Sequence, residues 1–302
     1  MIPHSTGSDR LGLAIAVLLM TTLALSLGDA LIKGSAGAVG IWQMFVLRSA
    51  LALPGFAILI LLLAKGARLW PQAPGWVALR VALLVAMWVA YYISLPHLPL
   101  SVAAAAYYTL PIFITLFSAL LLGERISTRG WLAVALGFAG VIVILRPGVE
   151  GVNGYMFLPL LSAMSYALAM IVTRAKCRGD HPLALGLFLA IGFIIAGALG
   201  SAVIAVGASG EGYAAAPWVA LGQIDWRIMA ALALALVIGG VGTAIAYKNA
   251  PPSVLGVFDF SYVGYAVIWG LMLFHEVPSP LTLLGIVMIV LAGVLATWAR
   301  RT

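Results

Sequence analysis

The sequence predicts an all-α integral membrane protein with ten transmembrane helices in two inverted five-helix repeats. Three observations predict it. Hydrophobic residues make up 64% of the 302 and charged residues only 8%, with a mean hydropathy of +1.15, whereas a soluble domain is about a quarter charged. Ten apolar segments run along the chain, most of them near the ~20 residues a helix needs to cross a hydrocarbon core. The second half also repeats landmarks of the first at one spacing: Pro99 and Pro251, Ser101 and Ser253, Val102 and Val254, and Glu124 and Glu276 each lie 152 residues apart. A constant offset through membrane-spanning segments is the mark of a duplicated half.

In order, the segments lie near 11–32, 42–63, 76–95, 101–122 and 130–145, then 156–173, 183–206, 227–247, 253–274 and 281–298. Glycine, proline or charge bounds each one, as at Lys65-Gly66, Arg146-Pro147-Gly148 and Pro251-Pro252. The first segment is longer than the apolar core of a signal peptide and has just Arg10 as a nearby upstream base, so it reads as a retained helix. At ~1.5 Å per residue the fifth crosses with slight local thinning of the bilayer. The longest polar connection is 207–226. Lys33 and Arg174, which end the first and sixth helices, are only 141 residues apart, so the second half carries eleven extra residues before helix eight, and this loop is their natural place. The halves divide as 1–150 and 151–302.

The net charge of +7 comes from basic residues scattered singly between apolar runs. That pattern sets orientation in a membrane and does not build a nucleic-acid face. With the N-terminus in the cytoplasm, eleven Lys and Arg residues fall inside (Arg10, Lys65, Arg68, Arg125, Arg129, Arg174, Lys176, Arg178, Lys248, Arg300 and Arg301). Three fall outside: Lys33, Arg146 and Arg227. Both termini are therefore expected in the cytoplasm, and an odd number of helices per repeat turns one half upside down relative to the other. The single cysteine, Cys177, excludes an intramolecular disulfide and any Cys-cluster metal site. Neither a cofactor nor a metal is called for. No ATP-binding motif is present, so movement of a solute must follow its own gradient or couple to an ion.

The stretch Ser101 to Gly140 carries a more specific signal. It holds an apolar run with an internal proline, Pro111, then Gly123-Glu124-Arg125 with Ser127 shortly after, then a closing helix containing Gly140. This layout resembles the EamA-type repeat of the drug/metabolite transporter superfamily, and the resemblance extends over essentially the whole chain. The second copy departs from it, with Phe274-His275-Glu276 in place of Gly-Glu-Arg and Val263 where Pro111 stood. The resemblance implies a ten-helix exporter of the bacterial inner membrane, similar to amino-acid exporters including those for aromatic amino acids. Its partners would be a small-molecule substrate and the lipid bilayer, and the protein a monomer or homodimer.

Charged side chains inside a hydrocarbon segment are costly and need a partner or a task. Asp29 lies about one turn from the outer end of helix one and Arg48 about two turns from the outer end of helix two, so their depths match. A buried pair of Asp29 with Arg48 or Lys33 is the expected arrangement, and a substrate-ammonium or proton site at Asp29 is the functional alternative. Asp259, flanked by Phe258 and Phe260, occupies the place of Tyr107 in the second half. It is read either as contacting an amine or titrating during transport, or as paired with Lys248 or with neighbouring hydroxyls.

Aromatic residues gather at matching depths: Trp88, Tyr91, Tyr92, Tyr107 and Tyr108 towards the outer half, and Tyr166, Tyr247, Phe260 and Tyr262 towards the inner. Partly polar rings of this kind line cavities for aromatic or cationic solutes by stacking and cation–π contact. The expected substrate-binding set is Trp88, Tyr91, Tyr107, Tyr108, Tyr166, Asp259 and Tyr262. An interfacial belt explains Tyr247 and Tyr92 instead. Gly192, Ala196 and Gly200 on helix seven, with Ala235, Gly239, Gly240 and Gly242 on helix eight, read as close-packing surfaces. Glu124 and Glu276 read as caps for the helix that follows each.

Rival classes have weaker support. Gly207-Ala208-Ser209-Gly210 matches the G-x-S-G of intramembrane serine proteases, with His275 as base, but Ser209 opens a polar loop. No span gathers His with carboxylates, so an enzyme is not expected. A phosphorylated solute calls for several deep cations, and only Arg48 is deep. Aromatic lining with few fixed charges suits amino acids, or organic cations and drugs as the alternative cargo.

Overall fold

The computed structural model describes residues 7–64, 66, 68–123, 127–145, 153–208, 212–249, 255 and 258–299. These residues are helical apart from short connections, with no strand among them. The helices are α1 Gly7–Ser35, α2 Ile41–Leu63, α3 Pro74–Ser94, α4 Leu100–Tyr107, α5 Leu110–Leu122, α6 Thr128–Leu145, α7 Phe157–Lys176, α8 Pro182–Val203, α9 Gln223–Asn249, α10 Ser261–Phe274 and α11 Pro280–Ala299. Seven segments are long and apolar enough to cross a membrane by length and composition, counting Leu100–Leu121 as one, and α6, α10 and α11 are shorter apolar helices. In hydrocarbon every backbone N–H and C=O must be satisfied within the segment, which only a helix achieves without a closed barrel. The outward faces suit that surrounding: Leu62, Leu120, Leu199 and Met272 are each at least 63% exposed.

The fourth expected helix is two. Pro111, second in α5, has no N–H to donate back to Tyr107, and its ring crowds that carbonyl. The chain turns through Tyr108 (φ −71°, ψ 8°) and Thr109 (φ −71°, ψ −4°), and the Thr109 hydroxyl donates to the Ala106 carbonyl at 2.7 Å. The ninth segment turns at the matching place. Phe258 and Asp259 are helical, Phe260 (φ −63°, ψ −11°) is a turn, and α10 resumes at Ser261. Val263 stands where Pro111 stood, so the break recurs without the proline. Both segments also end on a left-handed residue: Gly123 (φ 69°) closes α5, and His275 (φ 56°) closes α10.

Packing follows the same correspondence. α6 lies against α11, α2 against α8, and α4 against α10. The contact of α3 with α7 is answered by α9 with α1, that of α5 with α7 by α10 with α1, and that of α3 with α8 by α9 with α2. Exchanging the first five segments with the last five leaves this set of contacts unchanged. Small residues permit the closest approaches. A Cβ on Gly140 would stand 2.9 Å from the Gly285 carbonyl oxygen, and one on Gly285 would stand 2.8 Å from that of Gly140, so α6 and α11 touch backbone to backbone. On α8, Gly192 faces Val81 and Gly200 faces Trp42, while on α9 Gly239 faces Leu25 and Gly242 faces Thr21, as their spacing suggested.

From Gly212 the 207–226 connection folds back onto the start of α2, anchored at Tyr213 and exposed along 217–220. Its Tyr213 is buried and its carbonyl accepts from the Ile41 N–H at 3.2 Å, at the start of α2. Trp42 Nε1 donates to the Ala214 carbonyl at 2.8 Å, and the Gln43 amide both donates to the Val219 carbonyl (2.7 Å) and accepts from its N–H (3.0 Å). The loop thus satisfies the Ile41 N–H that the first turn of α2 leaves open.

Candidate functional site

Asp29 on α1 and Arg48 on α2 are both 3% exposed and line one small cavity with Gly28, Trp88, Tyr92 and Leu236. The cavity has room for about one or two water molecules. The expected ion pair is not formed. Among the described residues the one salt bridge is Lys33–Glu276, so Asp29 is paired with neither Arg48 nor Lys33. Arg48 instead donates from Nη1 to the Tyr92 hydroxyl at 2.9 Å. Its guanidinium carbon lies over four rings, 4.8 Å from the centroid of Phe193, 5.1 Å from Phe45, 5.2 Å from Tyr92 and 5.9 Å from Trp88. Ring faces stabilise a buried cation without accepting its remaining N–H bonds. Nε and Nη2 of Arg48 and Oδ2 of Asp29 are left without hydrogen-bond partners.

The expected aromatic set comes together as one run of rings. Trp88 meets Tyr91 at 6.4 Å between centroids, Tyr91 meets Tyr107 at 5.3 Å, and Tyr107 meets Tyr108 at 5.7 Å and Tyr166 at 6.1 Å. Tyr108 stacks on Tyr262 at 5.1 Å with 26° between planes, and the Tyr91 and Tyr262 hydroxyls are 3.3 Å apart. Asp259 is half-buried and close enough for its charge to be felt at the hydroxyls of Tyr107 and Tyr166. The side chains of Lys248 and Tyr247 lie outside the described residues, as do Glu124, Arg125 and Ser209.

Three residues take roles the sequence did not suggest. Tyr92 is 2% exposed and belongs to the Arg48 cluster, not to an interfacial belt. Its spacing of four from Trp88 places both rings on one face of α3, which was the available signal. Phe45 precedes Arg48 by three residues and faces it for the same reason. Glu276 does not cap the following helix α11. Its Oε1 takes the Lys33 ammonium and its Oε2 accepts from the Leu100 N–H at 2.8 Å, while Lys33 also donates to the Leu98 carbonyl. One carboxylate thereby ties the end of α1, the start of α4 and the end of α10.

Comparison with known proteins agrees with this architecture. Residues 12–146 match the EamA-like transporter family. The chain carries an EamA-type transporter domain. The pseudopaline exporter of Pseudomonas aeruginosa (strain UCBPP-PA14) is 24% identical over 295 residues, covering 97% of this chain and 99% of that one. A riboflavin transporter of Brucella anthropi is 25% identical over 242 residues, covering 80% of each chain. A solved crystal structure shares the fold, with a TM-score of 0.65 at 22% identity, over 97% of this chain and 98% of the other. The EamA-type match and the apolar helices make this a membrane-embedded transporter of small molecules.

Proposed function

We propose that this EamA-type protein is a secondary transporter that exports small metabolites, amino acids including aromatic ones, across the bacterial inner membrane by alternating access. The observation that carries this reading is the meeting of two broken helical segments. Tyr108 and Phe260, at the two breaks, lie 5.4 Å apart ring to ring, within the aromatic run and with Asp259 next to Phe260 in the chain. Discontinuous helices that meet between two halves are where secondary transporters hold their cargo. The unchanged set of helix contacts on exchanging halves, and the matching left-handed ends at Gly123 and His275, support ten spans in two inverted repeats, 1–150 and 151–302. The Lys and Arg distribution supports cytoplasmic termini.

On that orientation the Lys33–Glu276 bridge lies at the outer end, where it holds the outer ends of α1, α4 and α10 together. The protein alternates by breaking this tie to release solute outside. The relatives named for pseudopaline and riboflavin favour metabolites as cargo. A second reading, efflux of organic cations, is favoured by carboxylates among rings at Asp29 and Asp259. Flux of labelled amino acids, riboflavin, cationic dyes and sugars in proteoliposomes, with and without a proton gradient, tests both. Export of aromatic amino acids is expected. Movement of dyes alone would select the second reading, and movement of none of the solutes would remove both.

A further inference from the structure

The two charges that fail to pair point to the chemistry of the cargo. The Nε–H and Nη2–H of an arginine lie on the same edge of the planar guanidinium, and that edge grips a carboxylate by two parallel hydrogen bonds. In Arg48 this is the edge left open, because Nη1 is taken by Tyr92 and the faces are covered by Phe45, Tyr92, Trp88 and Phe193. The rings hold the guanidinium in place, and the Nε–Nη2 edge is buried without a partner. In the lining of the same cavity Asp29 has the Tyr91 hydroxyl as a hydrogen-bond partner and its Oδ2 without a donor. A buried guanidinium and a buried carboxyl group, each with an unpartnered hydrogen-bonding position and no bridge between them, are complementary to a molecule carrying both charges.

Resting on the transporter reading above, we infer that Arg48 and Asp29 form a binding site for the zwitterionic head of an α-amino acid, the substrate carboxylate on the Nε–Nη2 edge of Arg48 and the substrate ammonium on Asp29. The cavity is sized for about one or two water molecules, so it must widen as the helices move to take such a head. Gly28 forms part of its wall, close to Ala235 and Leu232 of α9. The side chain of the substrate would extend along Trp88 towards Tyr91, where the aromatic run begins. Discrimination then comes from the site's own charges. A solute lacking either charge leaves Arg48 or Asp29 buried and unmatched, a loss larger than that of a neutral contact.

The test compares three solutes that share one ring: L-phenylalanine, phenethylamine and 3-phenylpropionate. Binding to the purified full-length protein in nanodiscs is followed by tryptophan fluorescence and by the thermal midpoint, and competition by flux in proteoliposomes. The wild type is expected to prefer phenylalanine at least tenfold over either singly charged analogue. Arg48→Gln should erase the preference over phenethylamine and keep that over 3-phenylpropionate, and Asp29→Asn should do the reverse. Arg48→Lys, which keeps the charge and loses the paired edge, should give an intermediate preference and covers the case that Arg48→Gln does not fold. If the variants weaken all three solutes alike, or leave both preferences intact, the residues are a structural pair and the inference fails while amino-acid transport stands. If the wild type binds and moves no amino acid, the inference and the proposed cargo both fail.

Discussion

Tyr108 and Phe260, 152 residues apart in the chain, meet ring to ring at 5.4 Å where the fourth and ninth apolar segments each break. Phe260 is 7% exposed and also fills the space above Gly293, where a Cβ would fall 1.9 Å from its ring. The contact ties the two interrupted segments to each other and to α11. Phe260→Ala is expected to lower stability by about 3–5 kcal/mol, the range for emptying an aromatic site. Denaturant titration in nanodiscs reads this directly. A loss below about 1 kcal/mol would show that the breaks hold their geometry without the contact.

Tyr107 lies at the centre of the aromatic run, in contact with Tyr91, Tyr108 and Tyr166. Replacing Tyr107 or Trp88 by alanine should cut export of aromatic solutes about tenfold or more, the effect of ~1.4 kcal/mol lost in the site. Threonine, with no ring to stack, should be affected less. Equal loss for both solutes would mark damaged packing, and no loss for either would take these rings out of the pathway.

The Lys33–Glu276 bridge joins side chains that are 11% and 20% exposed, and Glu276 also holds the first N–H of α4. Removing either charge should weaken the tie and strand the other group in a partly buried site. Glu276→Gln and Lys33→Met are each expected to lower stability by roughly 1–3 kcal/mol. The exchange Lys33→Glu with Glu276→Lys should restore part of the loss. A cysteine at Leu98, which is 3% exposed, should label faster in the single variants than in the parent. Unchanged labelling would show that the bridge does not keep this end closed.

His275 occupies a left-handed conformation (φ 56°) that Gly123 supplies in the first half. A side chain there carries strain that glycine lacks. His275→Gly should therefore raise the thermal midpoint, by about 0.5–1 kcal/mol of stability, and His275→Val should lower it. A fall in the glycine variant would show that the imidazole makes a contact worth more than the strain.

Orientation can be read from cysteine labelling, with one precaution. Native Cys177 is 2% exposed, and burial, with the Asp180 charge beside it, pushes its thiol up from the ordinary range. A raised thiol pKa lowers the thiolate fraction at neutral pH, so labelling should be slow there and quicken as pH rises. Silence at Cys177 therefore does not report its side of the membrane. On a Cys177→Ser background, a cysteine at exposed Tyr155 should react with an impermeant maleimide in intact cells, and one at exposed Arg178 should react only after permeabilisation. The reverse pattern would invert every inside and outside assignment.

Much of this protein was determined by sequence alone, for physical reasons. Apolar segments of spanning length have one stable backbone in hydrocarbon, so their number and order follow from hydropathy. The offset of 152 paired landmarks of the two halves before any contact was known, but the turns at Tyr108 and Phe260 and the left-handed Gly123 and His275 came only from the structure. Glycines at Gly192, Gly200, Gly239 and Gly242 marked close approaches because nothing larger fits. Tertiary structure alone decided how the buried charges are used. Asp29 and Arg48 share a depth, and depth suggested a pair, yet whether they bridge depends on how α1 and α2 rotate about their axes, and Arg48 is engaged by Tyr92 from α3 and Phe193 from α8 instead. Glu276 was legible as a cap, but its partners Lys33 and Leu100 lie 243 and 176 residues away. Periodicity and spacing report what a segment does along its own axis. Which side chains meet across three helices is set by packing that no single segment encodes.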